Sequence, residues 1–414
     1  MSPSAKSLLD PEVVQCPYPY YEELRAEQPI GFRPELNAYF ASSYEMVKQI
    51  LRDKRFLKGA PENDGRKFVA PHKTAQEILL ADPQIGLPIH CISQSNGEEH
   101  SQFRKIVEPF LGRKAAMTRE PALQACVDML LDEVEKSDTC EIVGNFSAPY
   151  TLYVISDVIG LPRSLYNEAK AYAAAALTYL VYVVSEEQAV AGAKTMVAMH
   201  GVVRELIRER RKNPQDDLLS ALAVATVNGQ PLTEKQMCYI VEELVVGGHE
   251  TTANAINSGL THLAQHPELQ DALRAHPEQL PSFVEEVLRA LPPIQSAHRI
   301  ASEDIELGGV VIKKGTKVFL GTASANRDES RFACPASFDH NRTELDKHVA
   351  FGGGQHLCAG AYLSRAEQRI AYYEWLKRFS SIELAQPAES IRFHASFATR
   401  SPVEVHLRMT RARS

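Results

Sequence analysis

The residue types best suited to chemistry lie in one stretch, Phe351-Gly352-Gly353-Gly354-Gln355-His356-Leu357-Cys358-Ala359-Gly360. Three consecutive glycines let the backbone fold tightly and approach a flat ligand closely. The helical pattern that follows, carrying Leu363, Arg365 and Glu367, puts Cys358 beside a helix N-terminus, where the dipole favours a thiolate. Gly360 removes bulk beside the sulfur. A thiolate so placed can donate strongly to iron and promote cleavage of an O–O bond. A glycine run alone, or a cysteine alone, is better explained as a turn beside an inert core thiol.

A second group is Val246-Gly247-Gly248-His249-Glu250-Thr251-Thr252. Adjacent glycines weaken a helix interior and admit a bulge, and the acid and hydroxyl next to them can hold water against a bound molecule. Taken alone, Glu-Thr-Thr on a helix is better explained as surface polarity. A third is Glu286 and Arg289, three residues apart on one helix face and able to form a charge-assisted pair if the guanidinium finds further acceptors. Exposed helical pairs of this kind are common and contribute little.

The elements that must position these groups are mostly helical. Leu123, Val127, Leu130, Leu131 and Val134 recur at helical spacing. Thr233 and Gln236 form a capping-box pattern that opens a helix running to about Gln265, before Pro267. Strand signals are short: Asp304 to Leu320, broken at Gly308-Gly309 and Lys314-Gly315 as for antiparallel strands joined by turns, with Ile30 to Phe40 and Val403 to Leu407 as further candidates. No repeat or Gly/Ser linker divides the 414 residues, so residues 1–414 are expected to form a single domain.

A net charge of -7 argues against a nucleic-acid surface. Seven cysteines (Cys16, Cys91, Cys126, Cys140, Cys238, Cys334 and Cys358), with no C-x-x-C pair, indicate neither a disulfide framework nor a zinc ribbon, and suit a reducing compartment. The N-terminus lacks a signal-peptide pattern, and the longest uncharged stretch, Ala171 to Val184, is too short to span a bilayer. A cytoplasmic protein bound to no membrane is expected.

Phe351, Gly352, Gly354, His356, Cys358, Gly360, Leu363 and Arg365 match the haem-binding signature Phe-Gly-x-Gly-x-His-x-Cys-x-Gly followed by Leu-Ala-Arg, with Ser364 in place of the usual Ala. On these residues the chain resembles the cytochrome P450 family. Gly247 to Thr251 is similar to the family's oxygen-activation segment, Gly-Gly-x-Asp/Glu-Thr. Glu286 and Arg289 are similar to its Glu-x-x-Arg, with Arg342 as third member, and His100 and Arg104 to its His-x-x-x-Arg. The resemblance runs in family order from about His100 to the C-terminal strands.

It implies a mainly α fold with small antiparallel β-sheets, an α-rich triangular prism with haem between the long central helix and the cysteine-bearing helix. It further implies haem b, with Cys358 as the iron ligand and Phe351, Gly352 and Gly360 around it. His100, Arg104, Arg299 and His356 would meet the propionates, buried carboxylates that need cationic or hydrogen-bonding donors. Thr251 would donate a hydrogen bond toward bound dioxygen, and Glu250 would relay protons. Glu286, Arg289 and Arg342 would hold the cysteine segment without taking part in redox chemistry. The implied reaction is monooxygenation, with two electrons and two protons.

The positions this fold would turn toward substrate are Ile85, Leu87, Ile89, Val246, Gly247, Ile294, Gln295 and Phe397, with Gln295 and His90 as orienting donors. The lining favours a small, mainly apolar organic molecule such as a terpenoid, steroid, aromatic or fatty acid. Core packing explains any one of these residues equally well. Ala171 to Val184 falls where the family has mobile roof helices, and an ordinary buried helix is the alternative.

No flavin or iron–sulfur segment is visible. Electrons are therefore expected from NAD(P)H through a separate reductase system and a ferredoxin or flavodoxin-type donor. Lys105, Arg113, Lys114 and Lys347 are either a docking patch for that donor or merely solvated. A peroxide-driven peroxygenase would lack the acid–alcohol pair. A non-catalytic haem-based sensor or carrier would leave Glu250 and Thr251 without a purpose. A monomer is expected.

Overall fold

The longest helix, Glu234–Gln265, begins where the capping pattern places it: Thr233 Oγ1 accepts from the Gln236 amide at 3.2 Å, and Gln236 Oε1 accepts from the Thr233 amide at 2.9 Å. It stops before Pro267, which opens the next helix, Pro267–Ala275, from a position where a missing N–H costs nothing. A computed structural model describes residues 6–59, 72–84, 86, 87, 89, 91–180 and 185–412, with side chains at 177–180 excepted. Of the expected pocket residues, Ile85 and His90 lie outside the described residues, as do positions 181–184 of the expected roof stretch.

The chain forms two compact units. One comprises residues 1–56, 120–150 and 251–414, and the other residues 57–119 and 151–250. Helices Arg113–Val134, Ala148–Ile159 and Glu234–Gln265 contribute residues to both.

The first unit holds the cysteine-bearing helix Ala361–Arg378, the helix Leu280–Ala290 and most of the sheet structure. Leu123, Val127, Leu130, Leu131 and Val134 are buried here, as their spacing predicts. Trp375 is fully buried, with Phe146 edge-on to it at 5.2 Å and Phe379 at the same distance.

Strands Ile30–Arg33, Ala38–Ala41, Lys317–Leu320 and Ala297–Ala301 lie side by side in that order, with Phe56–Leu57 at the far edge. The Asp304 to Leu320 run is only partly the antiparallel array expected. Ile305–Leu307 and Val310–Ile312 do form a hairpin through Gly308 and Gly309, both at positive φ. Lys317–Leu320 instead joins the larger sheet, parallel to Ala38–Ala41 and antiparallel to Ala297–Ala301. Its buried Val318 and Leu320 need the Ala301, Val47 and Ile50 core more than a hairpin partner. The C-terminal strand begins at His406, later than the Val403 expected, and runs to Arg411 between Phe379–Leu384 and Thr139–Glu141.

The second unit is helical, built from Lys73–Leu80, Gly97–Leu111, Tyr166–Leu180, Glu186–Lys212 and Leu218–Val224 with the first half of the long helix. In the Ala171 to Val184 stretch, Tyr172, Ala173, Ala175 and Ala176 are buried, and the Tyr172 hydroxyl donates to Glu242 on the long helix at 3.3 Å. These four positions are packed helix. No described helix is long and apolar enough to cross a membrane.

Candidate functional site

In the first unit the cysteine segment is folded onto itself by main-chain bonds. The Cys358 amide donates to the Phe351 carbonyl at 3.0 Å, Leu357 to Gly354 at 3.2 Å and Gly352 to Val349 at 2.9 Å. Gly352 and Gly354 have φ of +72° and +63°, where a side chain is strained. A Cβ at Gly354 would also collide with the Leu51 carbonyl, so this loop can lie against the end of the Tyr44–Arg52 helix only as glycine. Gly360 caps Ala361–Arg378, and a Cβ there would stand 4.0 Å from Cys358 Sγ. The thiol is exposed, as is the apolar neighbour Leu357.

Two ion clusters support this loop, only one of which the sequence suggested. Glu286 and Arg289 are both fully buried and doubly bonded at 2.6 and 2.7 Å, and Arg342 Nε reaches the same carboxylate at 3.2 Å. Arg289 also donates to the carbonyls of Asn326, Pro335 and Ser337, which satisfies a cation that would otherwise be very costly to bury. The Asn326 side chain in turn accepts from the Val349 amide at 2.7 Å, two residues before Phe351.

The second cluster centres on Glu285. It accepts from Arg365 at 2.5 and 2.8 Å and contacts His348 Nε2 at 2.9 Å, while the Arg365 guanidinium lies 4.5 Å from the Phe351 ring centre. Burial pushes the Glu285 pKa up, but the bonds from Arg365 and His348 outweigh it and bring it down to about 2. Arg365 is part of the signature; Glu285 and His348 are not, and the only hint of them in the sequence is the second acid beside Glu286.

From Thr251 onward the long helix belongs to this same unit. Thr251 is half-buried, and Thr252 is buried and donates to Ser364 Oγ at 3.0 Å. Ser364, the one departure from the haem signature, thus accepts a bond that the usual alanine could not. Arg299, on strand Ala297–Ala301, is buried and donates to the His298 carbonyl at 2.9 Å. Burial lowers its pKa to about 10, and among the described residues no carboxylate pairs with it. His356 closes the Gly354–His356 turn, half-buried.

Gln295, the orienting donor expected, is 2% exposed; its amide donates to the Pro292 carbonyl at 2.7 Å while its oxygen accepts from Tyr21, so it also holds the chain turn after Pro292. Ile294 bridges to Thr399, and Phe397 packs edge-on against Phe319 at 5.1 Å. Lys347 is ion-paired with Asp346.

In the second unit His100 and Arg104 lie one turn apart on Gly97–Leu111. His100 is buried, and burial, reinforced by Arg104, lowers its pKa to about 4. Arg104 pairs with Glu108 at 2.8 Å. Val246 and Glu250 are half-buried and Gly247 exposed on the long helix, and Ile89 is half-buried. Nothing stands within 4 Å of where a Cβ at Gly247 would be, whereas one at Gly248 would be 2.7 Å from Ile155. His249, which the sequence did not mark, meets Thr151 Oγ1 at 2.9 Å. Lys105, Arg113 and Lys114 are exposed.

Residues 179–404 match the family model described as Cytochrome P450. Nocardicin C N-oxygenase of Nocardia uniformis subsp. tsuyamanensis is 34% identical over 397 residues, which cover 94% of each chain. The Biotin biosynthesis cytochrome P450 of Bacillus subtilis is 31% identical over 385 residues, 92% of this chain and 93% of that one. Among solved structures, P450BioI in complex with an acyl carrier protein ligated to hexadec-9Z-enoic acid superposes with a TM-score of 0.86 at 30% identity, over 97% of this chain and 99% of that one. The chain belongs to the cytochrome P450 family. It has the family's helix-rich fold and is a P450 monooxygenase.

The family implies haem, and the groups present fit it. An exposed thiol rises from a loop braced on both sides, and Arg299 is a buried cation suited to a propionate.

Proposed function

We propose that residues 1–414 act as one cytoplasmic, monomeric catalytic domain that binds haem b through Cys358 and hydroxylates a small, mainly apolar organic molecule. The observation that carries this reading is the Cys358 loop, tied to Phe351 by its main chain and held there by Glu285 and Arg365. When bound, haem supplies dioxygen binding and its reductive activation. Phe351, Gly352 and Gly360 are the cysteine-side contacts, and Arg299, His356, His100 and Arg104 are the propionate partners. The Thr251 hydroxyl holds a proton at Oγ1, and the Glu250 carboxyl exchanges protons with water. Ile89, Val246, Gly247, Ile294 and Phe397 offer apolar contact and few donors, which favours hydrocarbon-rich substrates.

Electrons come from NAD(P)H through a separate reductase and a ferredoxin or flavodoxin-type donor that docks on Lys105, Arg113 and Lys114. Exchanging Lys105 and Arg113 for Glu should slow reduction by ferredoxin and leave substrate affinity intact. Unchanged reduction kinetics would refute the patch.

The first test is the ferrous carbonyl spectrum of the purified protein: a thiolate-type Soret band is expected, and a histidine-type band would overturn the reading. A spin-state screen with terpenoids, steroids, aromatics and fatty acids then identifies the substrate class. The carrier-bound fatty acid seen with P450BioI earns a place in that panel. Thr251→Ala should consume electrons with little product. Full coupling in that variant would remove Thr251 from proton delivery and reopen the sensor or peroxygenase readings.

A further inference from the structure

Within the second unit, one carboxylate on the long helix grips a loop that no motif marks. Glu243 Oε2 accepts from the amides of Cys91 at 3.0 Å and Ile92 at 2.8 Å, and Oε1 accepts from the Ser93 amide at 3.0 Å and its hydroxyl at 2.6 Å. Four donors on three successive residues saturate both oxygens. One turn earlier on the same helix, the Tyr239 hydroxyl donates to the Gly86 carbonyl at 3.0 Å. Gly86 and Cys91 are therefore tied to positions 239 and 243, and Ile89 lies between the two ties.

Helical geometry says which face this is. Positions 239, 243, 246 and 250 follow the i, i+4, i+7, i+11 rule, so Tyr239, Glu243, Val246 and Glu250 form one stripe, with Gly247 at its edge. Gly248 lies on the far side, packed on Ile155. Gly86 and Cys91–Ser93 are thus held on the same helix face that carries Val246, Gly247 and Glu250 farther on.

We propose that Glu243 is a specificity-determining positioning residue: by clamping Cys91–Ser93 it fixes how far Ile89 stands over the face that receives substrate. This rests on Val246 and Gly247 facing substrate, as proposed above. Glu243 touches neither substrate nor haem, and it acts through the loop.

The test compares the ferric holoenzyme with its Glu243→Ala and Glu243→Asp variants, titrated with imidazole and with 4-phenylimidazole and followed by hydrogen exchange of peptides covering Cys91–Ser93. In Glu243→Ala, exchange there should rise at least tenfold. The ratio of the two azole dissociation constants should change at least fivefold while the ferrous carbonyl band keeps its position. Glu243→Asp should recover part of both. Ser93→Ala, which loses only the 2.6 Å bond, should move the ratio in the same direction by less, and it decides the matter if Glu243→Ala does not fold. Unchanged protection, or faster exchange with an azole ratio within twofold of the parent, overturns the proposal. A parent without a thiolate-type band would instead overturn the haem reading and leave the loop exchange result standing.

Discussion

Glu285 and Glu286 are neighbours with unlike environments, and the difference sets what each is worth. Glu286 and Arg289 have no exposed side-chain surface, so removing the carboxylate strands a buried guanidinium. Glu286→Gln should lower unfolding free energy by roughly 3–5 kcal/mol, read from urea denaturation, since a half-broken buried pair costs far more than the intact pair contributes. Glu285→Gln should cost less, because the Arg365 side chain is about a third exposed and can turn to water. Its main effect should be a looser Phe351 and a lower haem content after purification. Equal stability losses in both variants would show that the two clusters are equally buried in effect and would refute this difference. The sequence exposes Glu286 because its partner is three residues away on one helix. Glu285 stays hidden because its partners, His348 and Arg365, are 63 and 80 residues distant and only the fold brings them in.

At the scale of the element, the long helix departs from one expectation in a useful way. Two adjacent glycines can admit a bulge, yet Glu234–Gln265 is α-helical throughout. The two glycines have unlike surroundings. Gly248→Ala should destabilise by about 1–3 kcal/mol, because the new methyl meets Ile155 at 2.7 Å. Ile155→Ala in the same chain should relieve part of that loss. Gly247→Ala has open space, so it should gain up to about 1 kcal/mol of helix propensity while altering azole or substrate binding. Thermal melts showing the same sign for both substitutions would rule out this division of roles. Capping, periodicity and the proline stop made the helix itself legible. Which glycine packs and which stays open depends on Ile155, whose helix, Ala148–Ile159, is remote in sequence. Gln295 shows the same limit, since its neighbours suggested a substrate donor and only the turn at Pro292 shows that its amide is already engaged.

Across the whole molecule, buried titratable groups decide how stability responds to acid. Burial lowers the pKa of His249 to about 4, and burial with His266 nearby does the same for His262. Both are neutral in the fold and ordinary in the unfolded chain, so between pH 6.5 and 4 the unfolded state binds more protons. Stability should therefore fall as pH drops through that window. Glu285 acts in a second window: its pKa is depressed from 4.5 to about 2, so its contribution is complete above pH 4.5 and is lost as pH falls toward 2. In urea denaturation as a function of pH, the two histidines should withdraw stability between pH 6.5 and 4, and the Glu285 contribution should be lost below pH 4.5. His262→Phe keeps the ring that stacks 3.9 Å from Phe338 and cannot be protonated, so its stability relative to the parent should improve steadily from pH 6.5 to 4. The Glu285→Gln deficit should instead stay constant down to pH 4.5 and shrink below it. Parallel curves for His262→Phe and the parent across pH 6.5 to 4 would mean that this imidazole reaches water in the fold and carries no acid penalty.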